Sequence, residues 1–89
     1  MTVDHATTRQ TVSALMQDQH DRYAGQEKGL RERGHAFLAD YLRDAQSRLD
    51  DLQTQLSRTQ EPGAIREAHR KSLAVAYDSV LFMASQMQL

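Results

Sequence analysis

The sequence predicts an all-α fold, a small three-helix protein built on an antiparallel helical hairpin, and three observations carry that expectation. A leucine-rich stretch repeats every 3.5 residues from Leu38 to Leu56 with no Gly or Pro in it. A single proline, Pro62, stands just beyond that stretch and ahead of a second long periodic segment. The 89 residues include four glycines and one proline, too few turn signals for the many short strands of a sandwich or barrel. A chain of this length forms one domain, residues 1–89, and buries only about 60–65% of its unfolded surface, so it is marginal as a lone subunit.

Residues 1–24 open the chain with a polar, weakly periodic segment. Thr7-Thr8-Arg9-Gln10 fits a capping box, in which a hydroxyl and a Gln side chain satisfy free amides of a first turn. Val12, Leu15 with Met16, Gln19 and Tyr23 then recur at helical spacing, with Gln19 interrupting the stripe. The segment reads as a weak helix or as a partly disordered arm rich in Thr and Gln. Residues 25–34 follow with Gly25, Gly29 and Gly34 among charged side chains. Each glycine costs a helix about 1 kcal/mol relative to Ala, so a break or loose turn is expected here. Glu27 and Arg31, four residues apart, support the rival reading of an uninterrupted helix.

Residues 35–59 form an amphipathic helix. Leu42, Leu49 and Leu56 occupy one core position and Leu38, Ala45 and Leu52 the other, a coiled-coil-type seam. Asp44 and Arg48 pair at i,i+4 on the exposed face. The seam suits either a bundle helix with a narrow apolar stripe or a self-associating coil. Thr59-Gln60-Glu61-Pro62-Gly63 ends it, because proline cannot continue the hydrogen-bond ladder but fits the first turn of the next helix. So short a connection sets the second and third helices side by side and antiparallel.

Residues 62–88 form an apolar-rich helix whose character changes along its length. Its first turns carry Arg66, Glu67, His69, Arg70 and Lys71, whereas from residue 72 onward Asp78 is the one charge. One stripe runs Leu73, Ala76 with Tyr77, Val80, Met83 with Ala84, and Met87; Leu73, Tyr77 and Val80 are expected to face the leucine seam. A second stripe, Ala74, Val75, Leu81, Phe82 and Leu89, lies on the other side. A helix apolar on two faces must bury both, and a monomer this small lacks the cover. A homo-oligomer or a hydrophobic partner surface is therefore expected, with Val75, Asp78, Leu81, Phe82 and Leu89 as the candidate interface. Asp78 either points outward or meets Arg43 or Arg48 across the hairpin.

Catalytic and ligand chemistry is not legible in the residues. There is no cysteine, which excludes a disulfide framework, a thiolate zinc site and a cysteine nucleophile. His5, His20, His35 and His69 form no i,i+3 or i,i+4 pair, so neither a metal nor a cofactor is expected. His69 reads as a half-buried boundary histidine, and Asp40, Asp44 and Asp51 as a solvated face. A net charge of −1 and a basic cluster limited to Arg66, Arg70 and Lys71, diluted by Glu67, argue against nucleic acid. The first residues lack the charge and apolar run of a secretory signal, and residues 72–89 are too polar to span a bilayer. The expectation is a cytoplasmic protein that is not an enzyme.

Residues 35–89 resemble a phasin, one of the small proteins that coat polyhydroxyalkanoate granules. The resemblance lies in His35-Ala-Phe-Leu-Ala-Asp-Tyr-Leu through Leu49 and Leu52, the helix restart at Pro62, and Ala74-Val-Ala-Tyr77 leading into Val80, Leu81 and Phe82. It implies an amphipathic coat or scaffold without catalytic residues, in which Val75, Leu81, Phe82 and Leu89 lie on a hydrophobic polyester surface. The competing expectation is a small helical adaptor, a secretion chaperone or a phage-borne inhibitor that acts through its C-terminal helix.

Overall fold

The computed structural model describes residues 5–87, with side chains from 7 to 86. It contains three helices, α1 (His5–Glu32), α2 (Ala36–Ser57) and α3 (Pro62–Met87), in a body 50 × 21 × 18 Å. The first correction to the sequence reading concerns α1. Of the two alternatives for the opening segment the helix is the one seen, from His5, and instead of a break beginning at Gly25 the helix runs 28 residues through Gly25 and Gly29. The expected break shrinks to residues 33–35. There Gly34 takes φ +81, and its N–H donates to the Arg31 carbonyl at 3.1 Å while the His35 N–H donates to Leu30 at 2.8 Å. This is a Schellman cap, and only glycine adopts its left-handed position without strain. Gly25 and Gly29 are carried inside the helix because burial of Tyr23 and Leu30 on either side outweighs their entropy cost.

α1 and α2 run in opposite directions. Arg31 reaches Asp40 at 2.9 Å, Gln46 donates to Glu27 at 2.8 Å, His20 Nε2 lies 3.3 Å from Asp50, Gln53 donates to the Ser13 carbonyl at 3.1 Å, and Arg9 donates to the Thr59 carbonyl at 3.1 Å. The last contact sets a cation on a free carbonyl beyond the end of α2, where the helix dipole favours it. Asp40 is exposed, as expected of a solvated face, and from there also reaches α1 through Arg31.

Two apolar clusters fill the interior. In the first, all three helices meet through Val12, Met16, Leu52, Leu56, Ile65 and Ala68. The second gathers Tyr23, Leu30, Ala39, Leu42, Ala45 and Leu49, all from α1 and α2, and α3 adds only the half-buried Val75 and Met83. Of the expected leucine seam, Leu42, Leu49, Leu52 and Leu56 are buried and Leu38 is half-buried. α3 is therefore held firmly at its start and loosely toward its end, and α1 and α3 touch least of the three pairs.

Candidate binding surface

The phase of α3 about its axis decides what the protein shows to solvent. Its buried positions are Ile65, Ala68, Ser72 and Ser79, with Val75, Ala76, Phe82 and Met83 half-buried. Leu73, Tyr77 and Val80, expected against the leucine seam, instead face outward with 57%, 67% and 67% of their surface exposed. The first turns of the helix explain the difference. Continued backward in steps of three and four, the Leu73 stripe reaches Arg70 and Arg66, whereas the Ser72 stripe reaches Ala68 and Ile65. Placing two arginines against Leu56 would bury charge without a partner, so the Ile65 stripe turns inward. Its two serines are buried at low cost because Ser72 Oγ donates to the His69 carbonyl at 2.7 Å and Ser79 Oγ to the Val75 carbonyl at 2.8 Å. Arg70 is left on the surface, bound to Glu67.

The far end of α3 meets α2 through an aromatic contact. Phe82 stacks on Tyr41 with ring centroids 3.8 Å apart and planes 9° from parallel, and lies 5.7 Å from Phe37. Tyr41 near the start of α2 thus meets the end of α3, while Leu56 near the end of α2 meets Ile65 at the start of α3.

The candidate interface residues are split by this arrangement. Phe82 and Val75 are engaged inside, against Tyr41 and the second cluster respectively. Leu81 is 52% exposed and lies beside the outward stripe. Asp78 is exposed and, among the described residues, makes no ion pair; Arg48 is held by Asp44 on its own helix at 3.0 Å. Leu89 lies outside the described residues. The outward surface is thus Leu73, Tyr77, Val80 and Leu81, a reassignment from seam to surface for the first three. Leu30, Ala39, Ile65 and Ala68 are core residues that the sequence pattern does not mark. The signal for Ile65 was its place three residues after Pro62, where the first inward residue of a helix sets the phase for the rest.

Because α3 diverges from α1, an open groove of about 930 Å³ separates their second halves. Tyr23, Leu30 and Leu42 line it, with Gly25 and Gly29 on the α1 side and Ala76, Val80, Met83 and Ala84 on the α3 side. A Cβ added at Gly25 would meet nothing within 4 Å, so the α1 wall is open at that point, with the polar side chains of Arg22, Gln26 and Arg33 lining it on either side.

The polar groups of the described residues form structural ties between and within the helices. Glu27 accepts from Arg31 and from Gln46, which holds its carboxyl below the ordinary value of 4.5. Arg31, shared by Glu27 and Asp40, is raised correspondingly. Among the described residues no three His, Cys, Asp or Glu side chains gather where a metal ion could be held, and no helix is long and apolar enough to cross a membrane. Comparison with known proteins gives no match: no family model fits the chain, and no curated protein or solved structure is significantly similar to it.

Proposed function

We infer that the chain is a non-enzymatic helical binding protein that covers a hydrophobic surface, in the manner of a phasin-like granule coat, with the outward face of α3 as its contact. The observation that carries this reading is the alignment of four large apolar side chains, Leu73, Tyr77, Val80 and Leu81, each more than half exposed along one side of one helix. A soluble domain gains nothing from such a stripe unless something covers it. Burying a Leu or Val is worth roughly 1.5–3 kcal/mol, so a few of these anchors hold a coat that is still reversible. The charged outer side of α2, with Arg43, Asp44, Arg48 and Asp51 exposed, would face water and keep coated particles apart.

Co-sedimentation with polyhydroxyalkanoate particles tests the reading. Wild type is expected to pellet with them, and a Tyr77→Asp plus Leu81→Asp variant to stay in the supernatant with its helicity intact. Wild type that ignores the particles, or a variant that binds as well as wild type, removes the coat reading. The groove between α1 and α3 favours a second reading, a helical adaptor, chaperone or inhibitor that takes up a partner's helix. Stoichiometry separates the two: an adaptor saturates at a fixed molar ratio, a coat at a fixed surface area.

A further inference from the structure

The outward face of α3 has a register of its own. Leu73, Tyr77, Val80 and Ala84 follow in steps of four, three and four, the a/d spacing of a coiled coil. The positions flanking this seam are Ala74, Ala76, Leu81 and Met83, none of them charged, and Asp78 sits one position off it. From Leu73 to Ala84 no charge on the seam repels an identical seam, and Arg70 and Arg66 mark where it ends. The side-chain sizes further select a direction. In a parallel pair the layers would match Tyr77 with itself and Ala84 with itself, one overfilled and one empty. In an antiparallel pair, where a positions meet d positions, Leu73 falls opposite the partner's Ala84 and Tyr77 opposite the partner's Val80, so each layer joins a larger side chain to a smaller one.

The geometry points to a second copy of this chain as the occupant of this face: an isologous dimer in which α3 pairs antiparallel with α3 of the partner and lies along the groove beside α1. The four exposed side chains supply roughly 400 Å² per chain, about half the ~800 Å² per partner of a specific interface. The groove adds apolar surface from Tyr23, Leu30, Ala76 and Met83. Gly25 leaves the α1 wall low at one point, between the side chains of Arg22, Gln26 and Arg33, and Ala76 and Ala84 leave the opposite wall low. An interface below the standard size suits a dimer that dissociates on dilution. The inference uses the same face as the coat reading without depending on it: the dimer is the form in which the face is covered in water, and a hydrophobic surface would compete with the second copy for it.

Sedimentation equilibrium on the full chain tests the dimer. Wild type is expected to be dimeric at high micromolar concentration and to dissociate on dilution. Gly25→Leu, which fills the groove while replacing a helix-breaking residue, is expected to be monomeric throughout and at least as thermally stable as wild type. Tyr77→Asp is expected to be monomeric as well. The cysteine-free chain allows the direction to be read by cross-linking. Leu73→Cys with Ala84→Cys should form an intermolecular disulfide dimer on oxidation, and Leu73→Cys alone should not. Wild type that stays monomeric, a dimer that survives both Gly25→Leu and Tyr77→Asp, or cross-linking by Leu73→Cys alone overturns the inference. Particle binding by Gly25→Leu keeps the two claims separate, because this monomer retains the open face: loss of the dimer with retained binding supports both, and a wild-type dimer that ignores particles sinks the coat alone.

Discussion

Replacing Met16 by Ala should damage the fold far more than replacing its neighbour Leu15, although the sequence assigns both to one apolar stripe. Met16 is 1% exposed and belongs to the one cluster in which α1, α2 and α3 all meet, whereas Leu15 is 53% exposed. Truncating a buried Met, Leu or Ile to Ala typically costs 2–5 kcal/mol through lost transfer energy and the cavity left behind. Better helix propensity of Ala returns a few tenths, leaving about 2–4 kcal/mol. A domain of 89 residues is stable by roughly 4–13 kcal/mol, so this is a large share of the total. At roughly 4–8 °C per kcal/mol the melting temperature should fall by about 8–32 °C. Leu15→Ala should stay within about 0.5 kcal/mol of wild type, as exposed substitutions do. Urea unfolding followed by circular dichroism at low micromolar protein measures both, with unchanged m values expected. If the two variants unfold at the same urea concentration, α1 is not packed on α2 and α3 through this face, and the three-helix core is wrong.

Three further outcomes follow from the same geometry. Gly34→Ala should destabilise by about 1–2 kcal/mol because its φ of +81 is strained for any other residue, whereas Gly25→Ala should stabilise by about 0.4–1 kcal/mol; urea midpoints decide both. Glu27 has its folded pKa held down, first by the hydrogen bond from Arg31 and then by that from Gln46, so its contribution is complete above the ordinary value of 4.5 and is lost as pH falls through the lowered folded value. Glu27→Gln should therefore be less stable than wild type at neutral pH, and the gap should narrow on acidification below 4.5; a gap independent of pH would contradict it. Phe82→Ala should lose the stack on Tyr41, lowering stability by about 1–3 kcal/mol and flattening the near-ultraviolet dichroism of the tyrosines, while an equally stable variant would show that α3 is not anchored there.

The helical fold was legible because it rests on local pattern. The 3.5-residue recurrence in α2 marks its inward side directly, and Pro62 marks the start of α3. Less legible were features set by competition between helices. α1 has no clean stripe, since polar Gln19 and the glycines interrupt it, yet Val12, Met16, Tyr23 and Leu30 still find α2; the sum of four buried contacts exceeds what any local window displays. The phase of α3 was misread because the more apolar of its two stripes is the one turned outward. Hydrophobicity ranks the stripes one way, but the arginines at 66 and 70 forbid that rank from reaching Leu56. The same error placed Val75 and Phe82 on the contact surface, so charging Phe82 to test binding would strike the fold first. The outward face itself was visible as an excess of apolar surface on one helix, and what the structure adds is which side of that helix remains uncovered.

The most direct test of that face uses the absence of tryptophan from the chain. Tyr77→Trp places a single indole in the centre of the outward stripe. At low protein concentration it should emit at the long wavelength of a hydrated indole, and its emission should shift to shorter wavelength on addition of polyhydroxyalkanoate particles, saturating with particle surface area. Particles that carry the protein down without any shift would place the contact elsewhere and contradict the account.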